Sequence, residues 1–327
     1  MIRYLIRRGL TWIFMVFLAT NMTYFLASWF LHPESNYMGR RPPLPAEQIQ
    51  ASLEPYHLSS AHSLLENWWS WLTDILLHWN WGRGFVGTGV VNQEIGARAM
   101  VSAELMLLAT ILSVVVGVAV GVHTASHQYG ASDRTWMGIS VVAMNLPIVV
   151  VSVGLVAFGV WFNSVVGTNV FLVTGNGGST LTGWAYFVDF LKRVTLPTIG
   201  LIFITYPSYH LTQRSLLLDN IEADYVRTAR AKGLTRQQAI RKHALRTSII
   251  PIVTSVAFSI PGIFTGAVLT ENIYAWSGIG QYTVQTIAKN DVNGAVAVAA
   301  FSAVLTALGA ILSDIFVVII DPRVRVS

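Results

Sequence analysis

Six stretches of this chain run for 20 residues or more with almost no charge. About 20 apolar residues is the length an α-helix needs to cross the hydrocarbon core of a bilayer. The stretches are 9–31, 100–124, 136–162, 196–218, 248–270 and 294–318. The second carries one acid, Glu104, near its outer end, and the sixth carries Asp314 near its own end. The fourth is the weakest, because Tyr206, Pro207, Tyr209, His210 and Arg214 interrupt it. The pattern predicts an all-α integral membrane protein with six transmembrane helices. Arg3, Arg7 and Arg8 ahead of the first stretch resemble the basic start of a signal peptide. The apolar run that follows is longer than the roughly 7–15 residues of a signal core. It predicts a retained first helix.

The segments between the stretches have patterns of their own. Segment 32–99 opens with the turn-rich run Arg40-Arg41-Pro42-Pro43-Leu44-Pro45. In the same segment Trp68, Trp71, Leu72, Ile75, Leu76 and Trp79 recur at helical spacing, which predicts one apolar face. Such a helix suits packing on the outer ends of the spans, and substrate gating is the other reading. Segment 163–195 holds the flexible run Gly175-Asn176-Gly177-Gly178-Ser179.

Segment 219–247 is the most specific. Asp219 with Glu222 reads as a helix start, Gly233 as the residue that stops that helix, and Thr235 with Gln238 as a second capping box. The spacing predicts a helix, an elbow and a second helix. Ala223, Ala229 and Ala231 are small enough to let a partner approach the backbone closely. The Arg and Lys residues offer charged hydrogen bonds. A basic loop resting on anionic lipid would need only charge, so these features favour docking to a protein.

Composition agrees with a membrane body. Hydrophobic residues make up 53% of the 327 and charged residues 11%, against about 25% charged in a soluble domain. With no cysteine there is no disulfide framework or thiolate metal site. With the N-terminus inside, 14 of the 21 Lys and Arg residues fall on the inner side and 7 on the outer. That two-fold bias predicts both termini in the cytoplasm. No metal ligand set and no catalytic constellation stands out. His-Glu-x-x-His, Gly-x-Ser-x-Gly and the phosphate-binding Gly-x-x-x-x-Gly-Lys-[Ser/Thr] are all absent. The centres of the spans lack the Asp, Glu, Lys and Arg residues that ion-coupled carriers usually place there. Any energy for transport must therefore arrive through a partner.

Asp224-Tyr225-Val226-Arg227-Thr228-Ala229-Arg230-Ala231-Lys232-Gly233-Leu234, continued by His243-Ala244-Leu245-Arg246-Thr247-Ser248-Ile249-Ile250-Pro251, resembles the cytoplasmic coupling loop of ABC-importer permeases. The variant is that of the oligopeptide/dipeptide/nickel family. The opening Met1 through Arg8, Trp81-Gly82-Arg83, Leu196-Pro197, Glu271-Asn272-Ile273-Tyr274 with Gly278-Ile279-Gly280, and Asp321-Pro322-Arg323-Val324-Arg325 are similar to further family landmarks. The long first outer segment resembles that of the B-type subunit. Ser277 and Asp291-Val292-Asn293 depart from the family pattern.

The resemblance implies a type I ABC-importer permease fold in the cell membrane and no enzymatic activity in this chain. It implies a second homologous permease, two ABC ATPase subunits that bind ATP and Mg²⁺, and an extracytoplasmic binding protein that delivers a peptide. It implies no nucleic-acid partner. Tyr225, Arg227, Ala229, Arg230, Ala231, Lys232 and Gly233 are the expected contact with the ATPase. Tyr206, Ser208, Tyr209 and His210 either line the pathway or hydrogen-bond between helices. Glu271 either meets a peptide ammonium or is a solvated interfacial acid, and the second reading is the plainer one. Nickel or another small solute within the same family, and a channel or secondary carrier outside it, are the competing functions.

Overall fold

Small residues decide how the long helices of this chain meet. The computed structural model describes residues 2–38, 44–175 and 181–320. Most of the turn-rich Arg40–Pro45 run, most of the Gly-rich run after Gly175, and the Asp321–Arg325 motif lie outside them. Among the described residues the regular structure is helical, apart from an isolated antiparallel bridge between Arg83 and Val90.

The helices are α1 (Ile2–Phe30), α2 (Ala46–Leu53), α3 (Leu64–His78), α4 (Val91–Ser126), α5 (Ala131–Asn145), α6 (Ile148–Val166) and α7 (Gly183–Ile221). There follow α8 (Asp224–Ala231), α9 (Arg236–Ala239), a π turn (Ile240–Ala244), α10 (Leu245–Ser248), α11 (Ile250–Thr265), α12 (Val268–Ile273), α13 (Ile279–Ala288) and α14 (Val292–Ile320). Among the described residues five helical stretches are long and apolar enough to cross a membrane: Ile6–Phe30, Val91–Ser126, Ile148–Val166, Ile250–Ile273 and Val292–Leu312.

Two expected spans take another form. The stretch 136–162 is not one helix. Pro147 lacks an N–H and disfavours helix at the residue before it, so α5 ends at Asn145 and α6 begins at Ile148. The stretch 196–218 is part of a 39-residue helix, α7, which carries both Pro197 and Pro207 inside it. At about 1.5 Å per residue α7 is on the order of 58 Å long. It falls outside the apolar set, and His210, Gln213 and Arg214 lie in its C-terminal half.

The central pair is α4 against α7, with α11 and α14 beside α4, and α1 against α14. On α4 the buried positions include Ser102, Ala109, Ser113, Gly117 and Gly121. A side chain at Gly117 would come within 2.8 Å of the Tyr206 carbonyl oxygen, and one at Gly121 within 2.8 Å of Gln213 Cβ. Close approach through small residues is how helices associate where lipid removes the hydrophobic driving force.

The helix α3 begins with a capping box that sequence reasoning passed over. Ser63 Oγ accepts from the Glu66 N–H, and Glu66 accepts from the Ser63 N–H. Its packed face is narrower than expected. Trp71, Leu72 and Ile75 are buried against Tyr24, Ala27, Val292 and Val296, with Trp68 half-buried. Leu76 and Trp79 are exposed. The helix stops at His78 and Trp79 turns left-handed at φ 53°, which swings its indole out of the face. The packing nonetheless sets α3 on the ends of α1 and α14, as the bland reading of that face expected.

Candidate functional site: the α8 loop and its polar support

The segment after α7 folds for local reasons. The spacing of Asp219 to Glu222 predicts a helix cap at Asp219, and the structure has none there. Asp219 is part of α7, and α8 starts instead from Ala223 with no side-chain cap. Asn220 holds the junction, accepting from the Tyr225 hydroxyl at 2.5 Å and donating to the Leu216 carbonyl at 2.8 Å.

The far end of α8 follows the sequence. Gly233 takes φ +94°, its N–H donates to the Arg230 carbonyl, and the Leu234 N–H donates to the Ala229 carbonyl. These two bonds are the Schellman stop, and Leu234 packing back on the inner cluster completes it. The Thr235/Gln238 capping box then opens α9, with both reciprocal bonds present.

These two stops give α8 two faces. Val226 and Ala229 are buried in a cluster with Ala125 of α4, Leu217 of α7, and Ala239, Ile240 and Ala244. Ala229 therefore packs on its own chain, which corrects the expectation that it leaves room for a partner. Tyr225, Arg227, Arg230, Ala231, Lys232 and Gly233 are exposed on the other side. Arg227 lies 3.8 Å from Asp224, both open to solvent, an ion pair of little energetic weight. The exposed face thus offers a tyrosine, three cations and two small residues. A basic surface of this kind matches a partner bearing carboxylates or carbonyl oxygens.

The loop stands on a polar network that crosses α4, α5 and α7. His210 is fully buried. One ring nitrogen is 2.7 Å from Ser140 Oγ and the other 3.0 Å from Thr124 Oγ1. Ser140 Oγ also lies 3.3 Å from the Tyr206 hydroxyl. Gln213 donates to Ser248 Oγ of α10 at 2.9 Å. So Tyr206 and His210 are held between helices, one of the two uses left open for them. Of the expected pathway residues on α7, Ser208 is exposed and Tyr209 half-buried.

Beside this network Asp133 of α5 receives Arg214 of α7 in a two-pronged pair at 2.8 and 2.9 Å. The Asp133 side chain is only 3% exposed. The Arg214 hydrogen bonds, with the Tyr129 N–H, hold the Asp133 carboxyl below the usual range despite its burial. Arg214→Met should cost about 3–5 kcal/mol, because it strands the Asp133 charge. A lowered carboxyl gives stability that is present at neutral pH and lost as pH falls through its folded value. Thermal unfolding in detergent from neutral to acid pH should show that loss in the wild type and a flatter profile in Arg214→Met. Equal profiles would remove Asp133 from the account.

Glu271 is the largest departure from expectation. It is fully buried, not a solvated interfacial acid. Its carboxylate accepts from Ser102 Oγ at 2.8 Å and from the Gln281 N–H at 3.0 Å. Ser102 Oγ in turn accepts from the Ile279 N–H at 2.8 Å. A side chain at Gly266 or Gly278 would overlap the Glu271 carboxylate. The carboxyl group on the first turn of α13 and the glycines that make room for it explain why these residue types stand together. The only signal in sequence was the cluster of glycines near one acid.

Just before α14, Asp291 is also buried, accepting from the Phe85 N–H at 2.7 Å and the Gly294 N–H at 3.0 Å. Asn293 donates to the carbonyls of Arg83 and Tyr56. The departure at Asp291-Val292-Asn293 therefore supplies the bonds that fasten the segment around Arg83 to the start of α14.

An all-helical body with five stretches long and apolar enough to cross a bilayer, and a basic helix packed against it, has the make-up of a membrane component. Residues 106–326 match the family described as binding-protein-dependent transport system inner membrane component. The chain belongs to that family and is a multi-pass membrane protein. It is 34% identical, over all of both chains, to the oligopeptide transport system permease protein OppB of Mycobacterium tuberculosis. It is 28% identical to the dipeptide transport system permease protein DppB of Lactococcus lactis subsp. cremoris, over 99% of this chain and 100% of that one. Against DppB of Escherichia coli K12 the identity is 30%, over 76% of this chain and 80% of that one.

Proposed function

We propose that this chain is a permease subunit of an ATP-binding-cassette importer of oligopeptides or dipeptides. One observation carries the coupling part of this reading. The exposed Tyr225, Arg227, Arg230, Ala231, Lys232 face of α8 is fixed by a Schellman stop, and its opposite face is packed into α4 and α7. A helix built this way transmits a push from a partner into the membrane body.

In the proposed topology six helical passes, with α5–α6 as the third and α7 as the fourth, leave both termini in the cytoplasm. The chain forms half of the pathway with a second permease. Two ATPase subunits bind ATP and Mg²⁺ beneath it, and their closure moves α8. A binding protein on the outer side delivers the peptide. The relatives named for peptide transport support the substrate class.

The test is recovery of the complex. The chain is tagged at its C-terminus, extracted in mild detergent, and its companions identified with ATPase activity assayed in the same fraction. A second permease and ATPase chains carrying phosphate-binding loops, with hydrolysis stimulated by peptide-loaded binding protein, are expected. Stimulation by nickel or another solute instead would transfer the substrate class. A folded chain that purifies alone and conducts or carries solute without ATP would overturn the reading.

A further inference from the structure

Between the last turns of α4 and the segment after α8 lies a pocket lined with cations and hydrogen-bond donors. His123 and His127 line it from α4, and Gln237 and Arg241 from α9 and the π turn. No Asp or Glu is among its lining residues. The histidines are one turn apart, and their ring centroids are 4.7 Å apart. His123 Nε2 lies 2.7 Å from Ser132 Oγ on the first turn of α5. Asp133, next to that serine, is committed to Arg214 and the Tyr129 N–H.

The carbonyl end of a helix carries partial negative charge, which would oppose an anion here, but its oxygens are covered. His127 Nδ1 donates to the His123 carbonyl at 2.9 Å, and Arg236 donates to the Ser126 carbonyl at 3.4 Å. Ser126 also lines the pocket, so Arg236 brings a second guanidinium to its edge. Arg241 is exposed, and its guanidinium has no hydrogen bond or ion pair among the described residues. It sits on the π turn, a rare form that proteins use mostly at functional sites.

Two guanidiniums and two imidazoles with no acid among them fit an oxyanion. They stand on two walls. The oxygens of a carboxylate lie in one plane, whereas the tetrahedral oxygens of a phosphate meet both walls at once. The stretch Val91–Ser126 is apolar enough to cross a membrane, so its end lies at the bilayer surface. Phospholipid headgroups and soluble phosphate both reach that level.

We infer that this pocket binds a phosphate oxyanion, held between His123 and His127 of α4 and Arg236, Gln237 and Arg241 after α8. Such a bridge ties the segment that follows α8 to the membrane body. The site rests on these residues and not on the importer reading.

The test is thermal unfolding of the delipidated full-length chain in detergent. Inorganic phosphate or acetate replaces chloride at constant ionic strength, and phosphatidylglycerol or phosphatidylcholine is added back in parallel samples. A higher midpoint with inorganic phosphate is expected if the source is soluble. A rise with phosphatidylglycerol alone would make the source a lipid headgroup, and either result supports the site. Arg241→Gln breaks no side-chain bond within the described residues, so its midpoint in chloride should match wild type. The concentration that gives half the rise should increase about tenfold in that variant, roughly the weight of one charge-assisted hydrogen bond. His127→Gln should weaken the response as well. Arg7→Gln, at an exposed cation of α1 outside the pocket, should respond like wild type. No response to either phosphate source, or equal responses in Arg241→Gln and wild type, would overturn the proposal. So would acetate acting as strongly as phosphate, or an equal loss in Arg7→Gln, which would reduce the effect to general charge screening. No ATPase enters the test, so this site and the importer reading fail separately.

Discussion

Glu271→Ala is expected to collapse the packing of α12 and α13 on α4. The side chain ties α12 and the first turn of α13 to α4 through Ser102 and Gln281. Removing it strands the Ser102 hydroxyl and the Gln281 N–H in a buried site. Each unmade bond costs about 1–3 kcal/mol, and more where the lost partner is charged. It also opens a cavity among Gly266, Gly278 and Gly280, which shape themselves to the carboxylate. A total of about 3–6 kcal/mol is expected from these terms, a large part of the stability of an ordinary domain. The same segment is pinned by the Trp276 indole donating to the Val101 carbonyl at 3.0 Å and by the Tyr274 hydroxyl donating to the Ser152 carbonyl at 3.3 Å. Its loosening would reach α4 and α6 together. Glu271→Gln keeps the volume and one acceptor oxygen, and should fall between wild type and alanine. Membrane yield and thermal midpoint in detergent read the effect. A Glu271→Ala chain as stable as wild type would show that the buried carboxylate is not what holds α12 and α13.

Much of this architecture was legible because hydropathy reports length. Spans one, two and six, the stop at Gly233 and the Thr235 capping box follow from runs and caps that local chemistry dictates. What hydropathy does not report is direction. In a soluble helix the apolar face points inward, but here lipid and protein interior are both apolar. The buried face of α4 is written in Ser102, Ser113, Gly117 and Gly121, while Met100, Leu107, Ile111 and Val115 are exposed. The same inversion hid Ala229, whose small side chain serves α8's own packing on Ala125 and Leu217. It hid Glu271 and Asp133 as well. An acid near the end of an apolar run looks solvated until the partner that buries it, Ser102 or Arg214, is brought up from 169 or 81 residues away. Prolines misled in both senses. Pro147 breaks a helix that composition made continuous, whereas Pro197 and Pro207 sit inside one that composition shortened.

Gly233 separates coupling from folding, and the expected outcome is loss of coupling in a chain that still inserts. Its φ of +94° excludes β-branched residues, yet nothing lies within 4 Å of a would-be side chain. Substitution therefore acts through backbone strain and through whatever docks outside, not through a clash within the chain. Asn and Asp have the same shape, and both tolerate left-handed backbone better than other residues. Gly233→Asn should keep the Schellman stop and most of the peptide-stimulated ATP hydrolysis. Gly233→Asp adds a negative charge beside Arg230 and Lys232, on the surface proposed to meet the ATPase. It should abolish stimulated hydrolysis while thermal stability stays near that of the Asn variant. Gly233→Val should lose stability as well, by roughly 1–2 kcal/mol of left-handed strain. Exposed Ala231 and buried Ala229 supply the matching pair. Ala231→Arg should uncouple without unfolding, and Ala229→Arg should unfold the loop. Normal stimulation in both Gly233→Asp and Ala231→Arg would mean that Gly233 only ends a helix and that the ATPase docks elsewhere.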